Sequence, residues 1–222
     1  MMMNLFSIFD PSTSTYLTLN WISTSLILLF IPNMYWVVPS RLHQSWKLIT
    51  NTLYQELKNL FSKKKMKFVF LIISMFWFIL INNFMGLFPY IFTSTSHLSL
   101  TTMMALPIWL TLMLFGWINQ TNSMFSHMVP LGTPMLLSSF MVIIETVSNM
   151  IRPLTLSVRL TANMISGHLL LCLLSNIMES MPVMNLLILP FMIILLTLET
   201  AVAIIQSYVF ITLSSLYLNE LN

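Results

Sequence analysis

A chain of 222 residues that is 57% hydrophobic, only 7% charged and of mean hydropathy +0.87 excludes a soluble domain and leaves an all-α polytopic membrane protein. Its net charge of +3 is mostly local, because Lys47, Lys58, Lys63, Lys64, Lys65 and Lys67 lie close together, so no basic folded domain exists to carry a nucleic-acid surface. The single Cys172 excludes an intrachain disulfide.

Residues 1–20 lack a basic n-region, so no cleavable presequence is expected; the chain is inserted where it is made, or its first apolar span is the address. Asp10-Pro11-Ser12 is a turn signal ahead of the first apolar run, 16–38, which ends near the interfacial aromatics Tyr35 and Trp36. Over 41–61 the pattern changes: Leu42, Trp46, Ile49, Leu53, Leu57 and Leu60 recur every three or four residues against Lys47, Asn51, Gln55 and Lys58. This predicts an amphipathic helix lying on a membrane face, the alternative being a helix of a soluble bundle. The basic run at 62–67 follows. Positive loops stay on the side of synthesis, so the N-terminus belongs on the opposite face, and the lysines themselves need no role beyond solvation and anionic lipid.

The second span, 68–88, contains Asn82 and Asn83, which need partners on other helices or water. A polar stretch at 93–99 reads as an exposed loop, and a third span, 100–118, carries Pro107. His43, His97 and His127 have no second ligand at metal spacing, so no metal site is expected and the loop histidines read as solvated. After a break near Gly132-Thr133, the runs 135–176 and 183–218 are each too long for one span, since forty helical residues extend about 60 Å against a hydrocarbon core of about 30 Å. They predict a hairpin, turning near Pro182, whose arms are broken or inclined by roughly 60°. The whole is read as one membrane domain, 1–222, of about five membrane helices and one surface helix.

Charge within this hairpin is the main anomaly, because an ion in hydrocarbon costs about 2.5–3.5 kcal/mol on insertion scales. At about 100° per residue, Glu145, Asn149, Arg152, Arg159 and Asn163 form one polar stripe, while His168 points to the opposite side. Arg152 stays open between channel lining and a pairing with Glu145 or a lipid phosphate. Counting back from the turn sets Arg159 across from about residue 205, beside Gln206, and His168 across from about residue 196, near Glu199. Titratable groups therefore approach from both faces, with a guanidinium that cannot deprotonate between them. That is the layout of two offset half-channels, and it requires a travelling carboxyl that this sequence does not contain.

The string IRPLTLSVRLTANMISGHLL at 151–170 closely resembles the signature of the subunit a family of F-type ATP synthases, in its animal mitochondrial form, and the likeness extends over essentially the whole chain. The resemblance implies two long, nearly horizontal helices curving around a rotor, and a ring of c subunits whose rotation by proton flow drives ATP synthesis on a distant head. It implies Arg159 as the essential cation, Asn163 and Gln206 as its polar neighbours, His168 and Glu199 as the outer inlet, and Glu145 as the matrix outlet. It further implies a place in the mitochondrial inner membrane beside peripheral-stalk subunit b and small accessory membrane subunits. The N-terminus is then in the intermembrane space and the basic loop 63–67 in the matrix. No cofactor and no catalysis by the chain alone are expected, since no G-x-x-x-x-G-K-[ST] occurs. Two rivals remain: a structural membrane subunit, which would scatter its polar residues among helices, and a secondary transporter, which would show two repeats with matching broken helices.

Overall fold

Ser40 opens the first long helix by accepting the His43 backbone N–H on its hydroxyl, at 3.4 Å. The computed structural model describes residues 5–14, 16–32, 36–61, 66–119, 121–129, 134–180 and 185–220, and among them every regular element is helical. Tyr35, the lysines at 63–65, the Gly132-Thr133 break and the turn at Pro182 lie outside the described residues.

The N-terminal part is a 3-10 turn at Leu5–Phe9, then a 3-10 helix at Leu19–Leu26 that passes into α1, Ile27–Phe30. At about 2.0 and 1.5 Å per residue the second run is about 22 Å long, short of a hydrocarbon core of about 30 Å. The span expected over 16–38 is therefore a shorter helical run. The Thr24 and Ser25 hydroxyls donate to the Trp21 and Ile22 carbonyls, at 2.8 and 2.6 Å, which suits the tighter turn, and Pro32 cannot extend α1.

Helix α2, Arg41–Leu60, packs through His43, Trp46, Leu53 and Leu57. Trp46 stacks on Trp77 at 3.5 Å, and Leu53 and Leu57 join Val69, Ile72, Phe76 and Ile211 in one core. Leu42, Ile49 and Leu60, expected on the same face, are exposed. The packed stripe is turned by about one residue, as suits a helix with protein under one flank and apolar surroundings under the other.

Among the described residues four helices are long and apolar enough to cross a membrane: α3 (Lys67–Gly86), α4 (Leu98–Asn119), α6 (Met135–Ser180) and α7 (Asn185–Glu220), with the short α5 (Thr121–His127) between α4 and α6. The chain is a polytopic all-helical membrane protein. Its last two helices, of 46 and 36 residues, run unbroken through Pro153 and Pro190 for about 69 and about 54 Å. Helix α7 lies mainly against α3, and α6 against α4. The reason is periodic: α7 buries Glu199, Ala203, Ser207, Phe210, Ser214 and Leu218, and α6 buries Pro153, Leu156, Leu160, Met164 and Gly167, each at helical spacing. Small residues in the α7 stripe let α3 approach closely, which is how helices associate where lipid removes the hydrophobic drive.

Phe210, 2% exposed, fills the space between Ile79, Ala105, Leu156 and Leu160. Phe210→Ala is expected to remove about 3–5 kcal/mol of packing. A lower midpoint in thermal inactivation of the assembled complex would register that loss; an unchanged midpoint would contradict the packing assigned to Phe210.

The polar stretch at 93–96, expected as an exposed loop, is buried against α3, α4 and α6. Its two ends close on each other, though Thr95 does not share in this: the Thr93 hydroxyl donates to Ser96 Oγ at 3.1 Å, and Ser96 Oγ to the Thr93 carbonyl at 2.6 Å. Groups satisfied in this way can be taken out of water. Gly86 makes the room, since a Cβ there would lie 3.0 Å from Thr93 Cγ2 and 3.3 Å from Met164 Cε. His97, expected to be solvated, instead packs between Trp21 and Phe92 at centroid distances of 5.2 Å each.

Candidate functional site

The buried edge of α6 leaves its opposite edge open, and the polar residues of the sequence divide between the two. Glu145 pairs with Arg152 at 3.9 Å, and the Arg152 guanidinium also lies 5.0 Å above the Tyr217 ring of α7. Two turns of helix are what bring Glu145 and Arg152 to one side. Arg159, seven residues further, is exposed on the side away from Leu156 and Leu160, and no acid pairs with it among the described residues. By helical rise it stands about 21 Å from Glu145 and about 14 Å from His168 along the axis.

Where α6 meets α7, a cleft of about 320 Å³ is lined by Asn163, Ser166, Gly167, Glu199, Gln206 and Leu87 among others. Glu199 is 9% exposed and lies directly over Gly167, where an added Cβ would fall on its Oε1. Oε2 of Glu199 and Nδ1 of His168 are buried without a hydrogen-bond partner among the described residues. His168 is met edge-on by Phe9, at 5.6 Å between centroids and 61° between planes. Residue counting gave two separate clusters. The cleft instead joins Asn163 and Gln206 to Glu199, while Arg159 and His168 stand outside its lining and Glu145 is with Arg152 at the far end.

A second polar group lies in the bundle beside Gly86. Asn83 is 0% exposed with neither end of its amide partnered among the described residues, and Asn82 Nδ2, Thr95 Oγ1 and His97 Nε2 are buried in the same state. An unpaired buried polar group costs about 1–3 kcal/mol, so a concentration of them calls for bound water. Sequence reading marked the two asparagines as needing partners. It missed Thr95, which looked like ordinary loop, and Phe9, an aromatic far away in sequence. It also passed over Gly167, whose signal was that only four glycines occur and one of them precedes His168.

Among the described residues no three His, Cys, Asp or Glu side chains gather as metal ligands. One carboxylate, amides and a hydroxyl around a cleft, with an imidazole on the neighbouring turn, are chemistry suited to water and protons.

Comparison with known proteins places the chain in a family. Residues 14–219 match the family model described as the ATP synthase A chain. The chain is 58% identical over 227 residues to ATP synthase subunit a of Drosophila simulans and 58% over 224 residues to that of Drosophila melanogaster, with all of both chains covered in each case. It is 57% identical over 224 residues to that of Locusta migratoria, with 99% of each chain covered. A match over nearly its whole length, at this identity, means that the chain belongs to the ATP synthase A chain family.

Proposed function

We propose that this chain is the proton-translocating stator subunit of the F0 sector of a mitochondrial ATP synthase, carrying protons to and from a carboxylate on a rotating ring of c subunits. The observation that carries the reading is Arg159: a fixed cation in an apolar helix, exposed and unpaired with any acid of the described chain. Such a charge requires an opposite charge from elsewhere. A neighbouring ring carboxylate would supply it, and the exposed side of α6 is the side on which that ring would pass.

In this reading protons enter from the intermembrane space through His168 and Glu199, with water held at Asn82, Asn83 and Thr95. They load the ring acid near the cleft, and leave it beyond Arg159 toward Glu145 and the matrix. Asn163 and Gln206 flank the arginine. Arg152 is a cross-tie: its contacts with Glu145 and Tyr217 join α6 to α7 and argue for stability over conduction. The N-terminus lies in the intermembrane space and the basic loop 63–67 in the matrix, as the positive-inside rule requires. Helices of about 69 and 54 Å fit about 30 Å of hydrocarbon when inclined by roughly 60°. Peripheral-stalk subunit b and small accessory membrane subunits cover the remaining apolar surface.

Each proton crossing 100 mV releases about 2.3 kcal/mol, so several transfers accumulate for one ATP. The test is Glu199→Gln, which keeps the shape but not the exchangeable carboxyl. It is expected to leave assembly intact and to slow inward proton flux by about 10²-fold, the lower range for a positioned proton donor or acceptor. Normal flux would overturn the assignment, and loss of the assembled complex would favour a purely structural subunit.

A further inference from the structure

We infer that Phe9 is a positioning residue for the His168 imidazole, an inference that rests on the reading of His168 as part of the inlet. Phe9 belongs to the N-terminal 3-10 turn, 159 residues away in sequence, yet it meets the imidazole edge-on at 5.6 Å. The segment behind it is braced. Asn20 Nδ2 donates to the Asp10 carbonyl at 3.2 Å, the Thr13 hydroxyl donates to the Leu17 carbonyl at 2.9 Å, and the Leu17 N–H donates to Ser14 Oγ at 3.1 Å.

Its far end is anchored in the bundle, with Trp21 against His97 at 5.2 Å and against Phe92 at 5.7 Å. Two aromatic side chains of one braced segment thus rest on two histidines, His168 and His97, and each of those rings has a buried nitrogen with no partner among the described residues. An edge-to-face contact fixes an imidazole by its plane and leaves its nitrogens free for water. That is what a proton relay needs, because hydrogen-bond reach and direction are the first requirement of proton transfer and small displacements are costly. A residue that only filled space would be satisfied by any bulky apolar side chain.

The measurement is passive proton flux per assembled complex in vesicles, with the amount of complex determined separately. Phe9→Ala and Phe9→Leu are both expected to lower flux per complex by about 5–10-fold, below the roughly 10²-fold cost of gross misplacement. Phe9→Tyr, which keeps the ring, restores most of it. In a His168→Ala background, Phe9→Ala adds no further loss, as expected for two residues acting as one unit. Wild-type flux in Phe9→Leu, an equal loss in Phe9→Tyr, or additive losses in the double variant would each overturn the inference. Should Phe9→Ala prevent assembly, Phe9→Leu carries the decision. Wild-type flux in His168→Ala would instead remove the inlet reading itself, whatever Phe9 does.

Discussion

Arg159→Ala is expected to abolish coupled ATP synthesis in the assembled complex while the complex still forms. The side chain is exposed and makes no ion pair with the described chain, so its removal leaves α6 packed as before through Leu156, Leu160 and Met164. What disappears, in the proposed function, is the charge that draws an ionised carboxylate to this level of the membrane. A cation at close range favours the ionised form of an acid by about 1–3 pKa units, roughly 1.4–4 kcal/mol, so deprotonation of the ring acid becomes about 10- to 1,000-fold less favourable. In the proposed function the barrier between the two half-channels is lost at the same time, because no permanent positive charge then interrupts the water between them. Synthesis should fall below detection and uncoupled leak should rise, both measurable in vesicles with an imposed proton gradient. Arg159→Lys keeps a charge but exchanges a planar, non-titrating guanidinium for an ammonium that gives up its proton more readily, and it should fail as well. Full synthesis in Arg159→Lys would show that any positive charge suffices, and full synthesis in Arg159→Ala would remove the rotary reading.

Gly167→Ala is expected to cost nearly as much conduction as loss of Glu199 itself. In a helix interior this change favours helix formation by about 1 kcal/mol, so α6 gains locally and any functional loss must come from contact. The contact is specific, for the new methyl would occupy the place of Glu199 Oε1. Glu199 must swing out of the α6–α7 contact, and the cleft it shares with Asn163 and Gln206 changes shape. A displacement of this order lowers proton transfer by about 10²-fold. Combining Gly167→Ala with Glu199→Asp, one methylene shorter, should recover part of the flux, since the shorter side chain withdraws its carboxyl from the added methyl. No recovery, with the complex assembled, would mean that Gly167 serves packing alone. Normal flux in the single variant would mean that the carboxyl position is not critical.

Much of this molecule could be read along one dimension. Run lengths of apolar residues marked the four long helices α3, α4, α6 and α7 but not the short α5, and 100° steps placed Glu145 and Arg152 on one side, where they pair. Hairpin counting set Glu199 opposite residue 165, two residues from its observed contact, which is Gly167 and not His168. These are consequences of covalent geometry and of the cost of leaving backbone polar groups unpaired in lipid, and both act within a segment. Only the tertiary structure decided that 93–96 is buried, that α2 presents His43 where Leu42 was expected, that Asn83 is wholly enclosed, and that Phe9 rests on His168. Each of these depends on which surfaces of separate helices meet. Packing between segments far apart in sequence follows from shape and partner, and leaves no period in the chain from which it could be read.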